Sequence, residues 1–229
     1  MRIFAAATLF ACASAVAVPN EITTEYRLTH TGVVIGRVNE SFVRKGDTYS
    51  IQSVTRSEGV LKVFFDDQLT TQSIGKVTPQ GLRPMEFTQR RQKDADDNIR
   101  AVFDWDKGVM YSEFRGKNKT VPLPKETQDR LSLIYQFMNL QPREGQVVLP
   151  MSNGRNVQFY TYRMVEEVKL TTPAGDFQTF HYERVNTSDR EPKAQVWLAK
   201  ELFNLPVRVI FDDNRGLKLE QTLVSVETR

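Results

Sequence analysis

Short runs in which apolar and polar residues alternate, separated by turn-forming residues, dominate the chain. Thr24, Tyr26 and Leu28 alternate with polar or charged neighbours, and Leu217 and Leu219 flank Lys218. The runs Tyr49-Ser50-Ile51 and Ile99–Phe103 keep the same rhythm. A period of two puts one face on a core and the other in water, so each run reads as a half-buried strand. Turn signals fall between the runs at Lys45-Gly46-Asp47, Asp106-Lys107-Gly108, Ser152-Asn153-Gly154, Pro173–Asp176 and Asp213–Gly216. Asn153-Gly154 is the strongest, because both residues accept the positive φ of a tight hairpin. Roughly a dozen strands at this spacing predict a mainly β fold, a curved antiparallel sheet or open β-barrel.

One stretch departs from that rhythm. Residues 127–140 contain no Gly or Pro, follow Pro122 and Pro124, and end before Pro142. The spacing predicts one main helix, with Thr127 as its cap. Leu131, Ile134, Tyr135 and Met138 form one apolar stripe, and Leu133, Phe137 and Leu140 form another. A helix apolar on two faces is enclosed on two sides, so it is expected on the concave side of the sheet or across its mouth. Segment 156–171 reads as a long strand whose apolar phase slips between Phe159 and Tyr160, the mark of a bulge or of cover on both faces. Residues 115–126 read as a surface loop leading into the helix.

The chain opens on a targeting pattern. Met1-Arg2 precedes an uncharged apolar run from Ile3 to Val18, and Ala15-Val16-Ala17 matches a signal-peptidase site. The run is short for a membrane span of about 20 residues. Residues 1–17 therefore read as a signal peptide and 18–229 as a single exported β-rich domain in the periplasm, with membrane contact at most peripheral. Cys12, the single cysteine, lies within the leader, and Phe10 fits a lipoprotein box poorly, which argues against lipid anchoring there. The domain is left with no disulfide and no thiolate chemistry. The formal net charge is +3, one unit of which is Arg2. Such a balance gives no dedicated nucleic-acid surface.

Candidate chemistry is sparse. His30 and His181, the two histidines, sit in no ligand cluster and read as surface or rim residues; no metal site or cofactor is indicated. No G-x-S-x-G elbow or phosphate-binding glycine loop is present. The run Asp94–Asn98 begins like a calcium loop but lacks the glycine and the terminal glutamate. Arg90-Arg91-Gln92-Lys93 is neutralised by the acids that follow it. Paired acids such as Asp66-Asp67 and Asp212-Asp213 end apolar runs, where solvated turns belong. Trp105 and Trp197 each end an apolar strand; each is a core residue, the wall of a cavity or part of a partner-docking surface.

The ordered set Phe103-Asp104-Trp105, Asp129–Leu133, Thr172–Phe177, Val196–Ala199 and Leu205–Arg208 resembles the bacterial family designated DUF3108, a domain of unknown function, across the whole exported chain. The last third, with a Trp strand, Leu205-Pro206 and a final hairpin around Asp213 and Gly216, is similar to the ends of periplasmic lipoprotein-carrier and sigma-regulator half-barrels. That resemblance implies a curved sheet over an apolar cavity, here with one helix in place of a fuller lid. The expectation is a non-catalytic envelope protein that binds an apolar ligand, a lipid acyl chain or a lipoprotein, in the half-barrel. Leu133, Phe137, Trp105 and Trp197 are the candidate lining residues. The alternative is an envelope interaction or scaffold protein with a filled core, its partner another envelope protein.

Overall fold

The computed structural model describes residues 19–59, 67–139 and 145–229. The leader, Cys12, Asp66, Leu140 and Pro142 lie outside them. Among the described residues the chain is a meander of hairpins. Its first half runs through β1 (Glu21–His30), β2 (Val33–Lys45), β3 (Thr48–Ser57), β4 (Gln68–Thr78) and β5 (Gly81–Arg91). It continues with β6 (Ile99–Asp104), β7 (Val109–Phe114) and β8 (Lys117–Pro122). A two-residue strand β9 (Gln128–Asp129) leads into the helix α1 (Arg130–Gln136), which tightens into a 3₁₀ turn at Phe137–Asn139. The second half is β10 (Gln146–Ser152), β11 (Val157–Thr172), β12 (Gly175–Val185), β13 (Lys193–Ala199), β14 (Leu205–Asp212) and β15 (Lys218–Thr228).

These strands form one fifteen-stranded sheet, in which β1 pairs with β15 at the middle and β8 and β9 are the two edges. The pairing is antiparallel throughout except for the short parallel contact of β9 with β10. Edge strands β8 and β9 are neighbours in sequence, joined by residues 123–127. A chain reaches at most about 3.6 Å per residue, so that connector holds the edges within roughly 20 Å of each other. The sheet therefore curls into an open, barrel-like shape. The β10–β11 loop spans the gap: Ser112 Oγ donates to the Gly154 carbonyl at 2.7 Å and Lys119 Nζ to Asn156 Oδ1 at 2.6 Å. A Cβ on Gly154 would lie 2.6 Å from Ile99 Cγ2 and 3.0 Å from the Phe87 ring. This glycine lets the loop settle into the opposite side of the sheet.

α1 lies inside the curve, touching β3, β4, β5, β10 and β14, strands far apart in sheet order. Leu131, Leu133, Tyr135, Phe137 and Met138 are all buried. Tyr135 stacks on Phe42 at 5.1 Å between ring centroids. β11 carries a bulge between Met164 and Glu166, while at the expected slip between Phe159 and Tyr160 its pairing with β10 runs without a break.

Three local expectations are corrected. The helix is capped by Asp129, whose carboxylate accepts from the Leu131 and Ser132 amides at 2.9 and 2.8 Å. Thr127 instead donates to the Pro124 carbonyl at 2.7 Å. An ionisable oxygen two and three residues before the free amides is the stronger cap. The predicted loop 115–126 contains the edge strand β8, which its polar Lys-Asn-Lys-Thr sequence concealed. The Asn153-Gly154 turn is a four-residue loop rather than a two-residue one, since Ser152 pairs with Val157. Asn153 Oδ1 accepts from the amides of Arg155 and Asn156 and organises it.

Candidate functional site

Two of the four sequence candidates lie in the interior, beneath the sheet. Leu133 and Phe137 pack with Leu149, Tyr182, Val196 and Leu198 in one cluster, and Phe137 meets Tyr162 edge-on at 6.0 Å. The other side of α1 joins a larger cluster with Ile51, Phe87, Phe103 and Met110. Two carboxylates lie within this interior. Asp129 is fully buried and also accepts from Ser73 Oγ at 2.5 Å, while its own amide donates to Ser132 Oγ. Burial pushes its pKa up to about 6 against the lowering effect of those hydrogen bonds. Glu40 accepts from Ser53 Oγ at 3.1 Å and distantly from the Tyr135 hydroxyl at 3.4 Å. Burial likewise pushes it up to about 7. Each is closed in by its own neutral donors, an arrangement that anchors the helix.

Trp197 and His181 form a separate packed unit. They are cross-strand partners on β13 and β12, with rings stacked at 4.2 Å and 6°. The Arg208 guanidinium lies 5.1 Å from the Trp197 centroid. His181 is 6% exposed rather than a rim residue, and neither ring nitrogen has a hydrogen-bond partner among the described residues. Glu166 and Glu183 carboxylates lie 3.6 and 3.9 Å from its nitrogens. The expectation of a surface histidine is corrected because β13 is covered on both faces: Val196 and Leu198 belong to the cluster around Phe137, Trp197 and Ala199 to one around Tyr26 and Leu223.

Trp105 is different. It follows β6 at the rim, half-buried, its indole N–H donating to the Pro84 carbonyl at 2.7 Å. Phe103 stacks beside it at 6.2 Å, and the Arg83 guanidinium sits 4.9 Å from its centroid. The ring borders an open cleft of about 290 Å³ whose other walls include Leu82 and Arg83 from the β4–β5 hairpin and Lys125, Glu126 and Gln128 from the connector to the helix.

Two glutamines position this cleft. Gln136 of α1 accepts from the Leu82 amide at 2.8 Å and donates to the Gln80 carbonyl at 3.0 Å. Gly81 makes room for it, since a Cβ there would lie 2.3 Å from Gln136 Oε1. Gln128 Nε2 donates to the Leu82 carbonyl at 2.7 Å and to the Glu126 carbonyl at 3.4 Å. Reversing the amide would set its oxygen against those two carbonyls, so the orientation is fixed. Its Oε1 is buried and has no hydrogen-bond partner among the described residues. Thus of the four sequence candidates, Leu133 and Phe137 meet in the interior, Trp197 lies in a second cluster, and Trp105 borders a cleft; the structure does not bring them together. Gln128, Gln136 and Arg83 carried no sequence signal as site residues.

Among the described residues, no three His, Cys, Asp or Glu side chains converge as a metal site, and no helix is long and apolar enough to cross a membrane.

The model of the family described as "protein of unknown function (DUF3108)" matches residues 25–222. No functionally curated protein matches the chain. Among solved structures, the fold is similar to a beta-barrel-like protein of the domain of unknown function DUF1849 from Brucella abortus. The TM-score is 0.61 at 13% identity, covering 94% of this chain and 100% of that one. A candidate lipoprotein from Parabacteroides distasonis aligns with a TM-score of 0.37 at 12% identity, over 92% of this chain and 97% of that one. At these identities the likeness concerns the fold alone, and it is the Brucella structure that carries it.

Proposed function

The chain belongs to the DUF3108 family, and on that premise we propose that it is a non-catalytic binding protein of the bacterial cell envelope that takes an apolar group of its ligand in the rim cleft beside Trp105. Export is supported by the apolar leader and its Ala15-Val16-Ala17 site. A non-catalytic role is supported by the interior acids: Glu40 and Asp129 are spent on neutral donors, and neither borders the cleft. The observation that carries the reading is that Leu133 and Phe137 are buried among core side chains while Trp105 keeps a half-buried face on an open cleft. An apolar wall with a few placed polar groups is the usual composition of a ligand site. On this reading Leu133, Phe137 and Trp197 serve packing, and Trp105 serves binding.

The test is a titration with anilinonaphthalene sulfonate, an apolar anion suited to Trp105, Arg83 and Lys125. One site per chain is expected, lost in Trp105→Ala while the fold keeps its melting transition. Unchanged binding in that variant sinks the reading. A second reading rests on Val148 and Phe159, 57% and 64% exposed on adjacent strands β10 and β11. Exposed apolar neighbours of this kind suit a protein partner, and Phe159→Asp would abolish that contact without touching the dye site.

A further inference from the structure

Resting on the reading that the Trp105 cleft is a binding site, we propose that its occupant is a segment of a partner polypeptide, which places one large apolar side chain against Trp105 and Leu82 and donates a backbone N–H to Gln128 Oε1.

Three observations converge on this chemistry. The first is the unpaired acceptor. Buried polar side chains are paired in the great majority of cases. Gln128 is 2% exposed, borders the cleft, and spends its amide nitrogen on Leu82 and Glu126, leaving only the oxygen free. That oxygen can only accept, so the complementary group must carry a donor. A polypeptide offers one N–H per residue beside each side chain. An ionised fatty carboxylate or a phosphodiester offers acceptors alone.

The second is size. The cleft holds about 290 Å³, at the small end of the roughly 300–1,000 Å³ range of sites that enclose a drug-sized ligand. It accommodates one large side chain and not the paired chains of a phospholipid.

The third is the mixed charge of the walls. Lys125 and Glu126 stand side by side and Arg83 lies over the indole, a pattern that complements a zwitterionic peptide better than a uniformly anionic headgroup. Arg83 and Lys125 are both exposed, and such long side chains shift at low cost. Gln128 Oε1 is shielded from solvent in the free protein, so seating the segment requires the cleft walls to give way.

The probes are N-acetyl-L-phenylalaninamide, the same molecule with every amide nitrogen fully methylated, and octanoate, each used to displace anilinonaphthalene sulfonate from the full chain. The phenylalaninamide is expected to displace the dye roughly three- to tenfold better than its methylated form, the worth of one neutral hydrogen bond. Gln128→Met should erase that ratio, which is read as relative displacement by the two amides so that any change in the dye's own affinity cancels. Gln128→Leu offers a second variant if the first fails to fold. Equal displacement by both amides, or displacement by octanoate alone, overturns the polypeptide assignment and favours an acyl chain. Failure of the dye to bind beside Trp105 at all is a different result, and it defeats the underlying reading of the cleft.

Discussion

Trp105, just past β6, and Trp197, within β13, each carry a guanidinium near the ring, yet they sit in regions built differently. Trp197 is 8% exposed, between His181 and Arg208, on a strand buried from both sides. Trp105 is held by one hydrogen bond to Pro84 at the rim and keeps part of its surface on a cleft. The difference lies in what the neighbouring strands supply. Around Trp197, the β12 and β14 partners add a second ring and a cation, so the indole is fully spent on the fold. Around Trp105, the β4–β5 hairpin is held back by Gln128 and Gln136 and leaves a gap. The same residue type is thus enclosed in one place and left on an open cleft in the other.

That comparison can be broken most forcefully at the packed end. Trp197→Ala and Phe137→Ala should each cost about 3–5 kcal/mol in denaturant unfolding, the usual loss for a large aromatic in a core, with dye binding intact; a loss of dye binding at unchanged stability would reverse the assignment of roles. Next is the buried acid beneath the helix. Glu40 ionises near 4.5 when unfolded and near 7 in the fold, so the folded state holds its proton more tightly. Stability should fall as pH rises from about 4.5 to about 7 and level off above, and the cost at pH 8 is on the order of 3 kcal/mol. Glu40→Gln should recover much of it and flatten the profile measured by urea melts from pH 4 to 8. Asp129, raised in the same direction, contributes a similar slope that remains in that variant. Smaller still is Trp105→Ala, expected to cost about 1–2 kcal/mol while abolishing the dye site. Smallest is Phe159→Asp on the outer face, within about 0.5 kcal/mol, read by thermal melting.

The alternation of apolar residues carried the fold class, because a period of two survives any long-range rearrangement that keeps the sheet. The curved sheet was legible in this way, and the helix beneath it from its helical spacing, whereas the bulge in β11 falls beyond the phase slip at Phe159 and Tyr160. The helix boundary was not, since Thr127 and Asp129 are both good caps by type, and Ser73, 56 residues away, decides between them. His181 was misjudged because alternation shows which residues share a face and not how many faces are covered. Gln128 and Gln136 were invisible for a related reason. A glutamine has no pattern of its own, and both acquire their meaning from Leu82, 46 and 54 residues earlier.

The pairing of β1 with β15 at the middle of the sheet has a temporal consequence. Thr24 finds its partner Val226 some 200 residues further along the chain, so one whole flank of the first strand stays unsatisfied until the last strand has emerged. Topologies dominated by such distant pairings form slowly. A polypeptide of this design keeps its central seam open through most of its synthesis, and it locks only once the C-terminal hairpin arrives.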